Sequence, residues 1–175
     1  MRKAIGAAVL GLVSMLAFGV AAQEPPPIPK EGSGTQISAG SATLKALQLG
    51  TDRMQLTWEF LGANTDESGK GINHNSSVRC IGSAYVVNGV YETYTNSCVF
   101  TRTDGDQIFT TEKLTEMTGP MAKGGLVKGT SVITGGTGKL AGITGSIEWM
   151  RYAVRPALEG TVQTVTRAKS SYKLP

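Results

Sequence analysis

The chain has 175 residues, of which 40% are apolar, 6% aromatic and 17% charged, and it contains 23 glycines, two cysteines and one histidine. This composition excludes a disordered chain and a collagen-like chain. Two cysteines are too few for a Cys-rich zinc site or a disulfide-dense miniprotein, and a lone histidine, His74, excludes metal sites built from several histidines. We therefore expect a folded protein that uses no metal ion or other cofactor.

The N-terminus has the pattern of a cleavable export signal. Two basic residues precede an uncharged, apolar stretch, residues 4–20, and Ala22 ends a run of small residues that suits signal peptidase. We predict a signal peptide over residues 1–22 and a periplasmic or secreted protein with no membrane span after cleavage. An uncleaved anchor is the alternative, but the stretch is short for one. Cleavage lowers the formal net charge from +4 to about +2, which argues against a nucleic-acid partner.

Proline and glycine dominate the segment that follows the predicted signal. Four of the seven prolines lie within residues 25–29. Proline has a fixed φ and cannot donate a backbone hydrogen bond, so this composition is typical of an extended tether. We predict a flexible segment over residues 23–40 and a single domain over residues 41–175. A proline-rich ligand for a partner domain is the alternative interpretation.

The rest of the sequence is all-β in character. Apolar and polar residues alternate over residues 53–60, as in a strand with one buried face. Asn88-Gly89 is a strong signal for a two-residue hairpin turn. Together with similar segments this predicts about eight strands, over residues 42–47, 53–60, 78–87, 90–101, 107–113, 125–133, 143–152 and 161–168. Such a series favours a sandwich or a closed antiparallel barrel, with one turn of helix as an option over residues 111–117.

The two cysteines fall on opposite arms of the predicted hairpin. An oxidising compartment favours a disulfide between Cys80 and Cys98. With a two-residue loop, however, Cys80 would face Ser97. A three-residue loop or a β-bulge would bring Cys98 opposite Cys80, and we expect one of these. Free buried thiols are the alternative.

A glycine-rich run over residues 135–145 does not fit the nucleotide-binding motifs. Leu140 stands where a P-loop needs Ser or Thr, and a strand-like segment follows where a dinucleotide fold needs a helix. Glycines adopt positive φ readily, so the run predicts tight, bulged connections between strands.

The same run, Gly-Gly-Thr-Gly-Lys-Leu-Ala-Gly-Ile-Thr-Gly, resembles a segment shared by dirigent proteins, allene oxide cyclases and a group of exported bacterial proteins of unknown function. Residues 78–82, 87–92 and 104–109 are similar to that bacterial group. The resemblance implies an eight-stranded, calycin-like antiparallel barrel with an apolar cavity, oligomeric in the plant relatives. It carries no plant catalytic residue onto this chain, because fold similarity does not imply function.

Aromatic residues and strand carboxylates supply the candidates for a cavity lining. A carboxylate that points into a barrel would be a functional candidate. The candidate residues are Trp58, Glu59, Tyr85, Glu92, Tyr94, Phe100, Glu148 and Trp149. His74 lies in a polar loop, where a solvated side chain is the simpler interpretation than a general base.

These observations predict an exported barrel that binds a small apolar or aromatic molecule or a protein partner. No catalytic constellation is recognisable in the sequence. The alternative is an isomerase, cyclase or dirigent-type enzyme that guides a reactive intermediate inside the cavity, which needs shape and one or two polar groups rather than a triad. Assembly into a homo-oligomer is compatible with either function.

Overall fold

The computed structural model describes residues 27–119 and 125–175, in which eight antiparallel strands close into a barrel. The strands are β1 (Glu31–Gln48), β2 (Arg53–Asp66), β3 (Ser76–Val87), β4 (Val90–Thr101), β5 (Gln107–Met117), β6 (Leu126–Gly136), β7 (Thr144–Val154) and β8 (Val162–Lys173). Each strand pairs with the next, and β1 closes the barrel by pairing with β8. The all-β, eight-stranded barrel is therefore confirmed. Within the described ranges, no helix has the length and apolar character needed to cross a membrane.

The β3–β4 hairpin explains how the two cysteines meet. Asn88 and Gly89 form the turn with φ of 51° and 80°, as a two-residue hairpin turn requires. The register then shifts by one residue, because Tyr85 pairs with Thr93 and the next residue, Val86, pairs with Tyr91.

This β-bulge at Glu92 is the extra residue that the cysteine spacing requires. It places Cys80 opposite Cys98, and the two form a disulfide with an S–S distance of 2.05 Å. The predicted disulfide is confirmed, and the bulge rather than a longer loop provides the register.

The first strand begins ten residues earlier than the predicted start of the domain. β1 begins at Glu31, inside the segment expected to be flexible, and pairs with β8 over most of its length. Its glycines give space to large side chains inside the barrel. A Cβ at Gly32 would lie 2.8 Å from the ring of Tyr172, and one at Gly34 would lie 2.3 Å from Oδ2 of Asp66. Glycine in this segment thus permits close packing rather than flexibility.

The optional turn of helix over residues 111–117 is a strand in the structure. β5 continues to Met117 and pairs with β6 throughout, with register shifts between Phe109 and Thr110 and between Leu114 and Glu116. The backbone hydrogen bonds of this segment are made with β6, and this pairing fixes it as a strand rather than as a helical turn.

The two ends of the barrel differ in packing. We call the end with the β2–β3, β4–β5 and β6–β7 connections the closed end, and the opposite end the open end. The main hydrophobic core lies toward the closed end. It consists of Ile72, Val78, Cys80, Cys98, Phe100, Ile108, Ile133, Leu140, Ile143, Ile147 and Tyr172.

The glycine-rich run forms the connection that covers the closed end. It contains a short 3-10 helix, Gly138–Leu140, in which the Leu140 side chain is fully buried. The backbone N–H of Lys139 donates to Oδ2 of Asp106 at 3.0 Å, so the β4–β5 turn holds this connection in place. The closed end is therefore packed, and any space for a ligand has to lie toward the open end.

Candidate ligand-binding cavity

An interior cavity of about 280 Å³ lies toward the open end of the barrel. The side chains that point inward at this end leave space between them, whereas those at the closed end pack against one another. Most of its lining is apolar, from Ala42, Leu44, Met54, Leu56, Trp58, Phe60, Val86, Tyr91, Met117, Val127 and Val162. Its volume is close to the lower limit of about 300 Å³ for small-molecule pockets, and about twice that of an engineered cavity that holds benzene.

Three aromatic rings form one wall of this cavity, and a fourth continues below it. The ring centroids of Trp58 and Tyr94 are 5.5 Å apart, and Tyr91 lies 6.4 Å from Trp58 and 5.9 Å from Tyr94. Trp149 lies 6.4 Å from Tyr94 on the side of the closed end. These separations are in the range of favourable aromatic pairs, so the wall is stabilised by its own contacts.

Each indole ring lies over a glycine of the strand next to it. Trp58 pairs with Gly82, and Trp149 pairs with Gly129. A Cβ at Gly82 would lie 2.4 Å from Cζ2 of Trp58, and one at Gly129 would lie 2.2 Å from Cζ2 of Trp149. The two glycines therefore allow the indole rings to lie flat against the barrel wall.

A polar cluster forms the floor of the cavity. Arg151 Nη2 donates to the two carboxylate oxygens of Glu112 at 3.2 and 3.3 Å, and Nη1 donates to the Tyr94 hydroxyl at 3.1 Å. The Tyr94 hydroxyl donates to Glu112 Oε2 at 2.7 Å, and Asn96 Nδ2 donates to the same oxygen at 2.9 Å. Arg151 Nε donates to Thr166 Oγ1 at 3.1 Å. We call Glu112, Arg151, Tyr94 and Asn96 the floor cluster.

The floor cluster also joins the aromatic wall. Trp58 Nε1 donates to Asn96 Oδ1 at 3.1 Å, and the guanidinium carbon of Arg151 lies 4.6 Å from the ring centroid of Trp149. The latter distance is that of a cation–π contact. The wall and the floor are thus one connected structure.

Burial and charge shift the pKa values of two members of the floor cluster. Burial disfavours the charged form of Arg151, but the Glu112 carboxylate and the Tyr94 hydroxyl stabilise that form more strongly. The pKa of Arg151 is therefore raised. Burial raises the pKa of Tyr94, a rise that the Arg151 charge opposes and the Glu112 charge supports. The cluster therefore holds a guanidinium and a neutral phenol at neutral pH.

Two other cavities are less suited to a ligand. A cavity of about 30 Å³ lies beneath the floor cluster and is too small for an organic molecule. A larger depression of about 450 Å³ lies on the outside of β1, β2 and β3, with a lining that includes Ala39, Ala63 and Ser77. It is a shallow surface feature, and its lining includes no aromatic or charged side chain.

The structure separates the candidate residues into three groups. Trp58 and Tyr94 line the cavity. Trp149 and Phe100 point into the barrel but lie deeper, where both are buried and line the smaller cavity.

The other four candidates lie on the outer face of the barrel, which corrects the expectation that they line the cavity. They are Glu59, Tyr85, Glu92 and Glu148. Glu59 accepts a hydrogen bond from Arg79 Nε at 2.7 Å on the exposed surface. Successive side chains of a strand point to opposite faces of the sheet. Because the residues next to Glu59 and Glu148 point into the barrel, these two carboxylates point outward.

Sequence reasoning missed Glu112, Arg151, Asn96 and Tyr91. A signal for Arg151 was present, because the inward alternation of Ile147 and Trp149 leads directly to it. Glu112 was obscured by the optional helix over residues 111–117. His74 lies at the closed end, where its Nδ1 accepts from the Asp66 backbone N–H at 3.3 Å, and it does not line the cavity.

One group of potential metal ligands occurs in the described residues, formed by Cys80, Cys98 and Glu112. The two sulfur atoms are bonded to each other, so neither is available as a thiolate ligand. A single carboxylate remains, and it is already the acceptor for the floor cluster. This group therefore does not fit a metal ion.

Comparison with known proteins finds no relative of the chain. No protein-family model matches the chain, and neither the curated proteins nor the solved structures include a match to it.

Proposed function

We propose that the barrel binds a small, largely apolar molecule in the cavity at its open end. The observation that carries this proposal is the cavity itself, about 280 Å³ with aliphatic and aromatic walls and a polar floor. A few placed polar groups in an otherwise apolar concavity are the usual composition of a small-molecule site.

The contrast between the two ends supports binding over a purely structural role. Unfilled apolar space lowers stability, by about 24 cal/mol per Å³ in large-to-small substitution series. The closed end avoids such space with residues such as Ile108 and Leu140, both fully buried. The open end of the same barrel retains unfilled apolar space. A chain selected only for stability would fill both ends.

Binding is favoured over catalysis by the arrangement of the floor cluster. Both Glu112 oxygens already accept hydrogen bonds, from Arg151, Tyr94 and Asn96. Glu112 is also not among the residues that line the larger cavity, so the geometry does not place its carboxylate as a general base for a molecule bound there. The cyclase and dirigent-type activities therefore remain the second candidate, supported by the presence of polar groups beside an apolar cavity.

We further propose that the protein is exported and acts in the periplasm or outside the cell. The disulfide between Cys80 and Cys98 supports this, because disulfides persist in oxidising compartments. The predicted signal, residues 1–22, lies outside the described residues. The intact mass of the protein from the exported fraction tests the proposal, and we expect a chain that begins at Gln23. A full-length chain confined to the cytoplasm would contradict it.

The two tryptophans allow a direct test of binding. Trp58 and Trp149 are the sole tryptophans of the chain and both point into the barrel. Their indole N–H signals in a ¹H–¹⁵N NMR spectrum should shift on titration with indane, a small bicyclic hydrocarbon. We expect Trp58, which lines the cavity, to shift more than Trp149.

A pair of variants on one strand provides the control. Val162 lines the cavity, whereas Val165 lies on the opposite face of β8. Val162→Phe should weaken indane binding by about tenfold or more, because the ring occupies ligand volume. Val165→Phe should leave binding within about twofold. Equal effects of both variants, or no indole shifts in the unmodified protein, would count against the proposed site.

A further inference from the structure

The charge of the cavity is balanced within the floor cluster. Arg151 is the one charged residue in the lining among those that the structure describes. Its partner Glu112 contacts it through both carboxylate oxygens, with the Glu112 side chain 7% exposed and the Arg151 side chain 19% exposed. A charged ligand group would lose its hydration at the floor without meeting an unpaired opposite charge. The site therefore disfavours both anions and cations.

The floor nevertheless has a hydrogen-bond donor available to a ligand. A guanidinium has five N–H groups, two of them on Nη1. Arg151 Nη1 donates to a single acceptor, the Tyr94 hydroxyl, while Nε and Nη2 are engaged by Thr166 and Glu112. One Nη1 N–H is thus left without a partner in the described part of the chain. Arg151 lines the larger cavity as well as the smaller one beneath it, so its guanidinium is within reach of a ligand acceptor at the floor.

The shape of the wall adds a third constraint. The ring of Tyr91 is nearly parallel to those of Trp58 and Tyr94, with interplanar angles of 18° and 25°, while Trp58 and Tyr94 are tilted by 33° to each other. Such an aromatic wall contacts a flat ring system over a larger area than it contacts a flexible chain.

We propose that the ligand is an uncharged, flat ring compound with one hydrogen-bond-acceptor oxygen, of the class of aromatic ketones. This inference rests on the proposed function and specifies its ligand chemistry. The ring system lies against Trp58 and Tyr94, and the oxygen accepts from Arg151 at the floor.

Three compounds with one ring skeleton test the proposal: indane, 1-indanone and indane-1-carboxylate, titrated against the protein by NMR. We expect 1-indanone to bind about tenfold more tightly than indane, because it gains one hydrogen bond to a charged donor. We expect the carboxylate to bind more weakly than the ketone. Equal binding of indane and 1-indanone, or tightest binding of the carboxylate, would overturn the inference while leaving the proposed function intact. Failure of all three to bind would instead contradict the proposed function.

The double variant Glu112→Gln/Arg151→Met assigns the preference to the floor cluster. It removes both charges together, so neither is left unpaired. We expect the ratio of the indane and 1-indanone dissociation constants to fall from about ten to near one. Arg79→Met, which removes an exposed arginine paired with Glu59, is the control and should keep the ratio. Retention of the ratio in the double variant, with a native-like NMR spectrum, would show that Arg151 does not select the ketone.

A milder variant covers the case in which the double variant does not fold. Tyr94→Phe removes the single acceptor that Arg151 Nη1 has among the described residues and leaves both charges in place. If a ligand oxygen accepts from Nη1, the ketone preference should persist or increase in this variant. Loss of the preference would place the ligand oxygen on the Tyr94 hydroxyl instead and would contradict the assignment to Arg151.

Discussion

At the scale of single residues, the floor cluster contains a buried ion pair and is also the polar part of the proposed binding site. Arg151 and Glu112 are paired inside the barrel with 19% and 7% of their side chains exposed, whereas Arg79 and Glu59 form a pair on the surface with 62% and 46% exposed. A buried pair loses its hydration on folding, and the contacts between the two charges offset this cost. Removal of one partner therefore leaves an uncompensated charge. The same chemical pair should therefore behave differently at the two sites.

Arg151→Met should lower the free energy of unfolding by about 3–5 kcal/mol, because it leaves the Glu112 carboxylate without its cation. Arg79→Met should cost between about 0 and 1 kcal/mol, as for exposed ion pairs. Urea unfolding of both variants measures the difference. The double variant Glu112→Gln/Arg151→Met should recover much of the loss. Similar losses for Arg151→Met and Arg79→Met would show that the interior pair is solvated like a surface pair.

Tyr94 should make stability depend on alkaline pH. Burial raises its folded-state pKa, whereas the unfolded value is about 10. The unfolded chain therefore loses this proton first, and the contribution is fully present below pH 10 and declines as the pH rises above it. The loss attributable to Tyr94 should reach about 1.4 kcal/mol near pH 11.

Urea midpoints of the unmodified protein and of Tyr94→Phe, near pH 8 and near pH 11, isolate this contribution. Tyr94→Phe should be less stable than the unmodified protein near pH 8, because it loses the hydrogen bond to Glu112. It should lose less stability than the unmodified protein on going to the higher pH. Parallel losses would indicate that the Tyr94 hydroxyl ionises as readily in the folded state as in the unfolded chain.

At the scale of elements, the glycine-rich connection between β6 and β7 closes one end of the barrel. Leu140 is fully buried in its 3-10 helix, and the adjacent Lys139 is exposed. Leu140→Ala should lower the free energy of unfolding by about 2–5 kcal/mol, as for other buried leucines. Lys139→Ala, which removes an exposed ion pair with Asp104, should lower it by no more than about 1 kcal/mol. Thermal or urea unfolding distinguishes them, and equal effects would show that the connection does not contribute to the core.

The elements also show how far sequence patterns lead. Alternation located the strands, and the spacing of Cys80 and Cys98 required the extra residue that appears as the bulge at Glu92. The early start of β1 was missed because its pairing with β8 is distant in sequence, so glycines that give space to Tyr172 and Asp66 could be interpreted only as a tether.

The candidate site was less predictable for a related reason. Alternation shows that a strand has two faces, and apolar residues identify the inner one. Glu112 and Arg151 are polar residues on the inner face, so the rule that polar residues point outward works against them. Their partnership also joins β5 to β7, 39 positions apart in the chain, which no local pattern encodes.

At the scale of the whole molecule, the barrel is divided between a closed end that is packed and an open end that contains the cavity of the proposed binding site. Each strand runs from one end of the barrel to the other, so the packing at the two ends can be compared within a single strand. In β3, Val78 belongs to the closed-end core, Cys80 belongs to that core and also lines the cavity, and Val86 lines the cavity near the open end. Local opening follows the number of buried apolar contacts around a backbone segment, so the two ends should differ in hydrogen exchange.

We expect amides near Val78, where β3 pairs regularly with both neighbours, to exchange about tenfold or more slowly than those near Val86, which lies in the same strand beside the bulge at Glu92. Hydrogen-exchange mass spectrometry resolves the two regions. A bound ligand stabilises the states that bind it, so 1-indanone should slow exchange near Val86 and leave the closed end nearly unchanged. Uniform exchange along β3 would contradict the division, and uniform protection by the ligand would mean that the two ends unfold as one cooperative unit.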